Sequence, residues 1–193
     1  MWQLSIERTN PGLGYIPGNV ACIALEFNTP AQWSREQVLS LPHFATSDLG
    51  HDSSDAADMH VSLRRLLYSS QSLANRRGSR GRLAAGIHEL TLGDLWAKWH
   101  EQKGRCAISN IRMNTQQCSR WCVSLERYDN NCGYLHGNTG LVCREFQSGD
   151  QTLLRRSVVA TRRSTHQSAQ WSRYKFKQLL SWVQHPTVRA WLR

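Results

Sequence analysis

The chain has 193 residues and a formal net charge of +10 at pH 7. Hydrophobic residues make up 40% of it and include eight tryptophans, which is typical of a globular protein and excludes an intrinsically disordered one. No apolar run approaches the roughly 20 residues that a membrane-spanning helix needs, so we expect no membrane insertion. The excess of arginine and lysine suits a polyanion, and we expect RNA or DNA as the partner.

The first predicted unit covers residues 1–45. Residues 2–8 alternate in polarity as a strand does, and the turn-forming residues 10–14 predict a hairpin. Ser34 is expected to cap a helix that ends before Pro42. Because the unit starts at once, we expect no signal or transit peptide. The intracellular compartment (cytoplasm, nucleus or organelle) stays open, and an organellar location would need prior cleavage or an internal signal.

A connector follows at residues 46–82. Its first part predicts a helix from about residue 55 to residue 69, and residues 74–82 predict a flexible basic tract rich in Arg, Gly and Ser. A solvated linker needs no partner, but clustered arginines also fit contacts to phosphates. The candidate nucleic-acid-binding residues in this tract are Arg76, Arg77, Arg80 and Arg82.

The second, fuller unit covers residues 83–193. Apolar residues at helical spacing predict a helix over 91–102, and a short extended or turn segment is expected at 106–113. A strand is expected at 121–127 and a closing helix at 172–183, stopped by the proline that follows.

An inserted segment, predicted as a loop or an extra helix, occupies residues 151–167. It contains two arginine pairs, which again suit phosphate contacts. These additional candidate nucleic-acid-binding residues are Arg155, Arg156, Arg162 and Arg163.

Two stretches of the chain are copies of one another at an offset of 119 residues. The paired positions include Trp2 with Trp121, Ser5 with Ser124, Glu7 with Glu126, Arg8 with Arg127, Gly14 with Gly133, Tyr15 with Tyr134 and Asn19 with Asn138. A second block, Ala-Gln-Trp-Ser-Arg, occurs at 31–35 and again at 169–173. The repetition of a polar set at fixed spacing predicts an internal duplication.

The repeated pattern resembles the HNH, or ββα-metal, nucleases in their divergent homing-endonuclease-like form. Its elements are a strand closing on Ser-Ile/Leu-Glu-Arg, a loop with Gly-Tyr and Gly-Asn, an apolar strand and a Glu-Phe dipeptide. The resemblance implies an α+β fold of two ββα-type units, here joined by a helical basic connector.

The resemblance also implies a metal site in each unit. In the family, the acidic residue that closes the first strand and a polar residue on the following helix bind one divalent cation, Mg²⁺ or another. The implied metal ligands are Glu7 and Asn28 in the first unit and Glu126 and Gln147 in the second. Asn19 and Asn138 are implied to brace the hairpins.

Arg8 and Arg127 stand where the family has the histidine that deprotonates the attacking water. Arginine takes no proton at neutral pH, so Arg127 is instead expected to pair with Glu126 or Glu145, or to clamp a phosphate. His136, two residues before the bracing asparagine, is the alternative base. The implied catalytic set is His136, Arg127 and Asn138.

We therefore expect a nucleic-acid-binding protein on an HNH-like fold, with catalysis weak or lost. A structural RNA-binding subunit of a ribosome or another ribonucleoprotein fits this expectation. The alternative is an active metal-dependent endonuclease that cleaves DNA.

The six cysteines offer a structural zinc site as a further alternative. The candidate ligands are Cys106, Cys118, Cys122 and either Cys132 or Cys143. Paired Cys-x-x-Cys knuckles are absent, because position 109 is Ser and position 146 is Phe. Buried free thiols are therefore the preferred interpretation.

Overall fold

The computed structural model describes residues 2, 4–24, 27, 35–46, 56–147 and 171–187. These residues form four α-helices and two separate two-stranded antiparallel sheets, which confirms the predicted α+β class. None of the helices in these ranges is both long enough and apolar enough to cross a membrane.

The first hairpin consists of β1, Leu4–Arg8, and β2, Val20–Ala24. The strands are antiparallel, with Leu4 opposite Ala24 and Arg8 opposite Val20. Gly18 lies in the connecting loop with a φ of 82°, a conformation that favours glycine. The hairpin lies where the sequence predicts it.

Helix α1, Arg35–Thr46, continues through Pro42, so the prediction that it ends before this proline was wrong. A proline inside a helix removes one backbone hydrogen bond. Leu41 and Ala45, on either side of it, are buried in the core. This burial offsets the missing bond and carries the helix one turn further.

Helix α2, Ala56–Gly78, is also longer than predicted. The expected flexible tract at 74–82 is helical up to Gly78, because Ala74 is fully buried in the core. Gly78 also packs closely on a short 3-10 turn, Ala84–Gly86, since a Cβ on Gly86 would lie 2.7 Å from the Gly78 Cα. Tertiary packing therefore overrides the local Arg/Gly/Ser composition.

Helix α3, Leu92–Glu101, confirms the prediction made from its apolar spacing. It begins with a capping box, in which the Thr91 side chain accepts from the Asp94 backbone N–H while the Asp94 carboxylate accepts from the Thr91 backbone. The expected turn segment follows, where residues 105 and 112 form an isolated antiparallel bridge.

The second hairpin consists of β3, Val123–Arg127, and β4, Thr139–Cys143. Val123 lies opposite Cys143 and Arg127 lies opposite Thr139. This is the register of the first hairpin shifted by 119 residues at every position. All ten strand residues are buried, because α3 packs on β4 and α2 packs on β3.

Helix α4, Arg173–Gln184, confirms the predicted closing helix. Ser172 caps it by accepting from the Lys175 backbone N–H at 3.2 Å. Helices α1 and α4 begin at the arginine that ends each copy of the repeated five-residue block, and both have 12 residues. The repetition in the sequence therefore includes a helix as well as a hairpin.

One hydrophobic core joins these elements. The ring of Trp171 lies edge-on to Phe27, with centroids 5.2 Å apart, and edge-on to Phe146, at 5.3 Å. Trp2 packs on the same tryptophan at 5.8 Å. Aromatic side chains from both copies thus meet at the same point.

Candidate functional site

Asn138 holds the loop of the second hairpin. Its Oδ1 accepts from the Asp129 backbone N–H at 2.8 Å, and its Nδ2 donates to the backbone carbonyls of Asp129 and Gly133 at 3.0 and 2.8 Å. These three bonds satisfy both ends of the amide. The bracing contacts are present, and the catalytic role of Asn138 stays a prediction.

Asn19 makes the same three bonds in the first hairpin. It accepts from the Asn10 backbone N–H at 2.8 Å and donates to the carbonyls of Asn10 and Gly14 at 3.1 and 2.8 Å. Each partner is the residue 119 positions before its counterpart. The loop geometry is repeated together with the sequence.

Arg127 is buried beneath this loop. Its Nη1 donates to the carbonyls of Asn130 and Cys132 at 3.1 and 2.7 Å, and its guanidinium lies 5.2 Å from the centre of the Tyr134 ring. Arg8 repeats the arrangement in the first loop, with Nη1 donating to the carbonyls at positions 11 and 13 and the guanidinium 5.3 Å from the Tyr15 ring. The arginine at this motif position therefore supports the loop backbone.

The predicted nucleic-acid-binding arginines of the connector divide into two groups. Arg77 is only 8% exposed, and its Nη1 donates to the Tyr134 hydroxyl at 3.4 Å. Arg82 is half-buried and donates to the Asn130 carbonyl at 3.2 Å. Arg76 and Arg80 are exposed. Helix α2 turns the Arg77 side chain inward onto the second hairpin, and its assignment to the binding surface stays a prediction.

The candidate arginines of the inserted segment, Arg155, Arg156, Arg162 and Arg163, lie outside the described residues. The candidate ligand Asn28 does so as well.

A cleft of about 560 Å³ opens where β3 ends. Glu126 and Tyr128 contribute to one wall, and Ser172 and Arg173, at the start of α4, contribute to another. The Tyr128 hydroxyl lies over Gly140, where a Cβ would come within 2.1 Å of it. Burial raises the pKa of Tyr128, although Arg173 opposes the shift. Tyr128 therefore stays protonated at neutral pH and can donate a hydrogen bond into the cleft.

Gln147 does not lie on a helix as the resemblance implies, and its role as a metal ligand stays a prediction. After β4 the chain forms a 3-10 turn, Arg144–Phe146, because Phe146 is drawn fully into the core. The Gln147 Oε1 accepts from the Ser124 hydroxyl at 2.6 Å, and its Nε2 donates to the Leu125 carbonyl at 3.1 Å. Both ends of this amide are bound to β3.

The other predicted ligands and the predicted base are separated. Glu126 is buried and borders the cleft. Glu7 accepts from the Arg8 backbone N–H at 2.8 Å. His136 is exposed beside α3, where its carbonyl accepts from the Lys98 ammonium at 2.7 Å, and it does not border the cleft that contains Glu126. Within the described ranges, no three His, Cys, Asp or Glu side chains are grouped to hold a metal ion.

The candidate zinc ligands are only partly brought together. The thiols of Cys106 and Cys143 are hydrogen-bonded in the core, whereas Cys118 is exposed. Burial raises the pKa of Cys106, but hydrogen bonds from Cys143 and Ser109 outweigh it and lower the pKa to about 6. Burial, reinforced by Cys106, raises the pKa of Cys143 well above its ordinary value.

The solvent-facing side of α2 forms a surface of which sequence reasoning identified only Arg76. We call it the α2 outer face; it consists of Arg64, Tyr68, Gln71, Ser72, Asn75 and Arg76. All six are exposed, and the last five line a shallow groove of about 550 Å³. The Arg64 guanidinium lies 6.0 Å from the Tyr68 ring and donates to its hydroxyl at 3.5 Å.

A signal for this surface is present in the sequence. Residues 59–88 contain six arginines and no aspartate or glutamate. The helical period places Arg64, Tyr68, Asn75 and Arg76 on one side of α2. The sequence signal for the cleft is the repeated five-residue block at 169–173. Its last three residues line the cleft.

No family model, curated protein or solved structure matches the chain. Two surfaces of the described chain bring charged and polar side chains together: the α2 outer face and the cleft beside Glu126.

Proposed function

We propose that the chain binds structured RNA through the α2 outer face, as a subunit of a ribosome or another ribonucleoprotein. The observation that carries this proposal is the combination of exposed arginines, amides and an aromatic ring on one helix side without an acidic residue. A face of this composition is attracted to phosphates over its whole length.

The side chains of this face divide between the two tasks of RNA recognition. Arg64 and Arg76, with Arg80 just beyond the helix, supply charge for phosphate contacts. Gln71 and Asn75 supply donors and acceptors for base edges and 2′-hydroxyls. The Tyr68 ring, with a guanidinium beside it, offers a surface on which an unpaired base stacks.

The two hairpins support an HNH-like ancestry for the fold. They share the strand register, the asparagine brace and the arginine under the loop at constant spacing. Arg8 and Arg127 serve the loop backbone where the family has its base, which supports a unit kept for structure with catalysis weak or lost. The Gln147 amide, bound to β3, supports the same interpretation.

Fluorescence anisotropy with a labelled RNA hairpin tests the proposal. Replacing Arg64 and Arg76 by Ala together should weaken binding by roughly tenfold and reduce the slope of log affinity against log salt by about two. The matched control, Arg144→Ala with Lys177→Ala, removes two exposed charges elsewhere and should change affinity much less. Equal losses in both double variants would show that the α2 outer face is not the contact surface.

The second candidate function is metal-dependent cleavage of DNA, and the cleft at the end of β3 favours it. Glu126 is the residue there that would bind a divalent cation, which would polarise a phosphate, and Arg173 would hold that phosphate. Tyr128 would donate a hydrogen bond to it. Ordinary magnesium chemistry would thus need only one protein carboxylate in this cleft.

Cleavage assays with plasmid DNA and with structured RNA in Mg²⁺ separate the two functions. Loss of cleavage in Glu126→Gln, but not in the exposed-residue control Glu101→Gln, would support the nuclease. Normal cleavage by a His136→Ala variant would exclude His136 as the general base. A chain that binds RNA and cleaves neither substrate would support the RNA-binding proposal and exclude the nuclease.

A further inference from the structure

The first hairpin exposes a face that its counterpart in the second hairpin buries. Leu4 is 77% exposed and its counterpart Val123 is 2% exposed; Tyr15 is 67% exposed and Tyr134 is 4% exposed. We call the exposed set the open face; its members are Leu4, Ile6, Leu13, Tyr15, Ile16 and Val20. An apolar surface of this extent is characteristic of an interaction site.

The second hairpin shows what covers such a face. The Gln102 side chain, just after α3, bonds both the N–H and the carbonyl of Leu141, at 3.0 and 2.8 Å. The Ala107 N–H donates to the same carbonyl at 2.9 Å, and the Val123 N–H donates to the Asn114 carbonyl at 2.8 Å. These bonds attach α3 and the extended segment after it to the edges of the hairpin, and α2 completes the cover by packing on β3.

The loop of the second hairpin has a cover of its own. The Tyr134 N–H donates to the Ile87 carbonyl at 2.9 Å, and the Glu89 N–H donates to the Tyr134 carbonyl at 3.0 Å. Ile87 comes so close that a Cβ on Gly133 would lie 2.1 Å from its oxygen. A Cβ on the counterpart, Gly14, would meet nothing within 4 Å.

The described part of the chain supplies no equivalent cover for the first hairpin. Helix α2, which lies between the two copies in sequence, packs on α3 and β3 instead. Cys22, the counterpart of Leu141, is exposed, and no described side chain bonds its backbone as Gln102 bonds Leu141.

We infer that the open face docks an amphipathic helix of a partner protein. That helix has Leu and Trp on its apolar side and ends in an amide side chain followed by an extended segment, as α3 and residues 105–114 do. The two hairpins share register and loop hydrogen bonds, so the geometry of the cover transfers from one to the other. A second copy of this chain is a poor occupant, because its α3 is committed to its own hairpin through the fully buried Leu95.

A labelled peptide of residues 90–114 serves as the probe, since it reproduces the chemistry of the cover. Fluorescence anisotropy with the full chain should show saturable binding. Leu4→Asp with Ile16→Asp should weaken this binding at least tenfold. The matched control, Val61→Asp with Leu83→Asp, alters two exposed apolar residues outside the open face and should leave it unchanged.

Other outcomes would overturn the inference. No saturable binding to the unaltered chain, or equal loss in both double variants, would show that the open face is not the docking site. A dimer for the unaltered chain and a monomer for Leu4→Asp with Ile16→Asp, both measured by light scattering, would assign the open face to a second copy. Tighter peptide binding after deletion of residues 148–170 would assign it to that segment of the chain. If the double variant does not fold, Tyr15→Ser provides the same comparison at the exposed loop ring.

Discussion

Trp2 and Trp182 pack against each other with ring centroids 5.6 Å apart, although they belong to different copies of the repeat. The reciprocal contact joins Trp121 of the second hairpin to Phe44 of α1, at 5.3 Å. Phe44 and Trp182 are both the tenth residue of their helices. The tryptophan just before each hairpin therefore packs on the helix that follows the other hairpin, and these contacts join the two copies.

Replacing the glycine at position 133 should destabilise the fold, whereas replacing the glycine at the equivalent position 14 should not. We expect Gly133→Ala to lower the free energy of unfolding by roughly 1–3 kcal/mol, because its Cβ would collide with the Ile87 carbonyl. Gly14→Ala should change it little, since the space there is open. Urea denaturation of both variants measures the difference. Equal effects would contradict the packing described for the second loop.

Two adjacent arginines should have separable roles. Arg77→Ala should lower the thermal stability and leave the salt dependence of RNA binding unchanged, because its guanidinium is buried against Tyr134. Arg76→Ala should weaken RNA binding and leave the melting temperature nearly unchanged, because its side chain is exposed. Thermal melts and anisotropy titrations of the same two preparations give both readouts. The reversed pattern would place Arg77 on the surface.

Asn138→Ala should destabilise the chain by about 1–3 kcal/mol, since it leaves loop backbone groups of Asp129 and Gly133 without partners. Asn138→Asp should not recover this loss, because its second carboxylate oxygen would face the Asp129 and Gly133 carbonyls to which the amide donates. The exposed Asn131→Ala is the matched control. Chemical denaturation that ranks Asn131→Ala with Asn138→Ala would exclude the bracing role.

Glu145→Gln should stabilise the chain at neutral pH. Glu145 is 5% exposed, and its Oε1 has no hydrogen-bond partner among the described residues. Burial raises its pKa above the ordinary 4.5, despite Arg120 and Arg144 nearby. The folded state thus holds the proton more tightly than the unfolded state, and stability falls as pH rises from 4.5 through the raised pKa.

Thermal melts from pH 3.5 to pH 8 test the effect of Glu145. The gain in Glu145→Gln should be present at pH 7 and disappear below about pH 4.5, where the carboxyl is protonated in both states. Glu101→Gln, at an exposed position, should show no such dependence. A gain that persists at low pH would mean that ionisation of Glu145 is not its cause.

Local signals predict much of the fold. The spacing of apolar residues locates α3, the proline at position 186 marks the end of α4, and the turn residues locate the first hairpin. The failures concern Pro42 and the tract at 74–82, where burial of distant side chains outweighs a local helix breaker or a flexible composition.

The candidate site is less predictable. Repetition singles out Glu126, Arg127 and Asn138, but it does not reveal which way each side chain points. Nothing local separates Arg76 from Arg77, because only the packing of α2 on Tyr134 turns one of them inward. Tyr128 is likewise placed by a distant residue, because its hydroxyl occupies the space that a side chain at Gly140 would fill.

The packing of Trp2 on α4 sets a requirement on the order of folding. Its indole N–H donates to the Gln178 side chain at 3.2 Å, which closes a loop of nearly the whole described chain. Closing so long a loop has an entropic cost, and contacts at such separation form late. The first hairpin is synthesised first, but its contacts with α4 form only after α4 has left the ribosome. A ribosome-bound chain halted before residue 173 should therefore present that hairpin unpacked, to chaperones and to proteases alike.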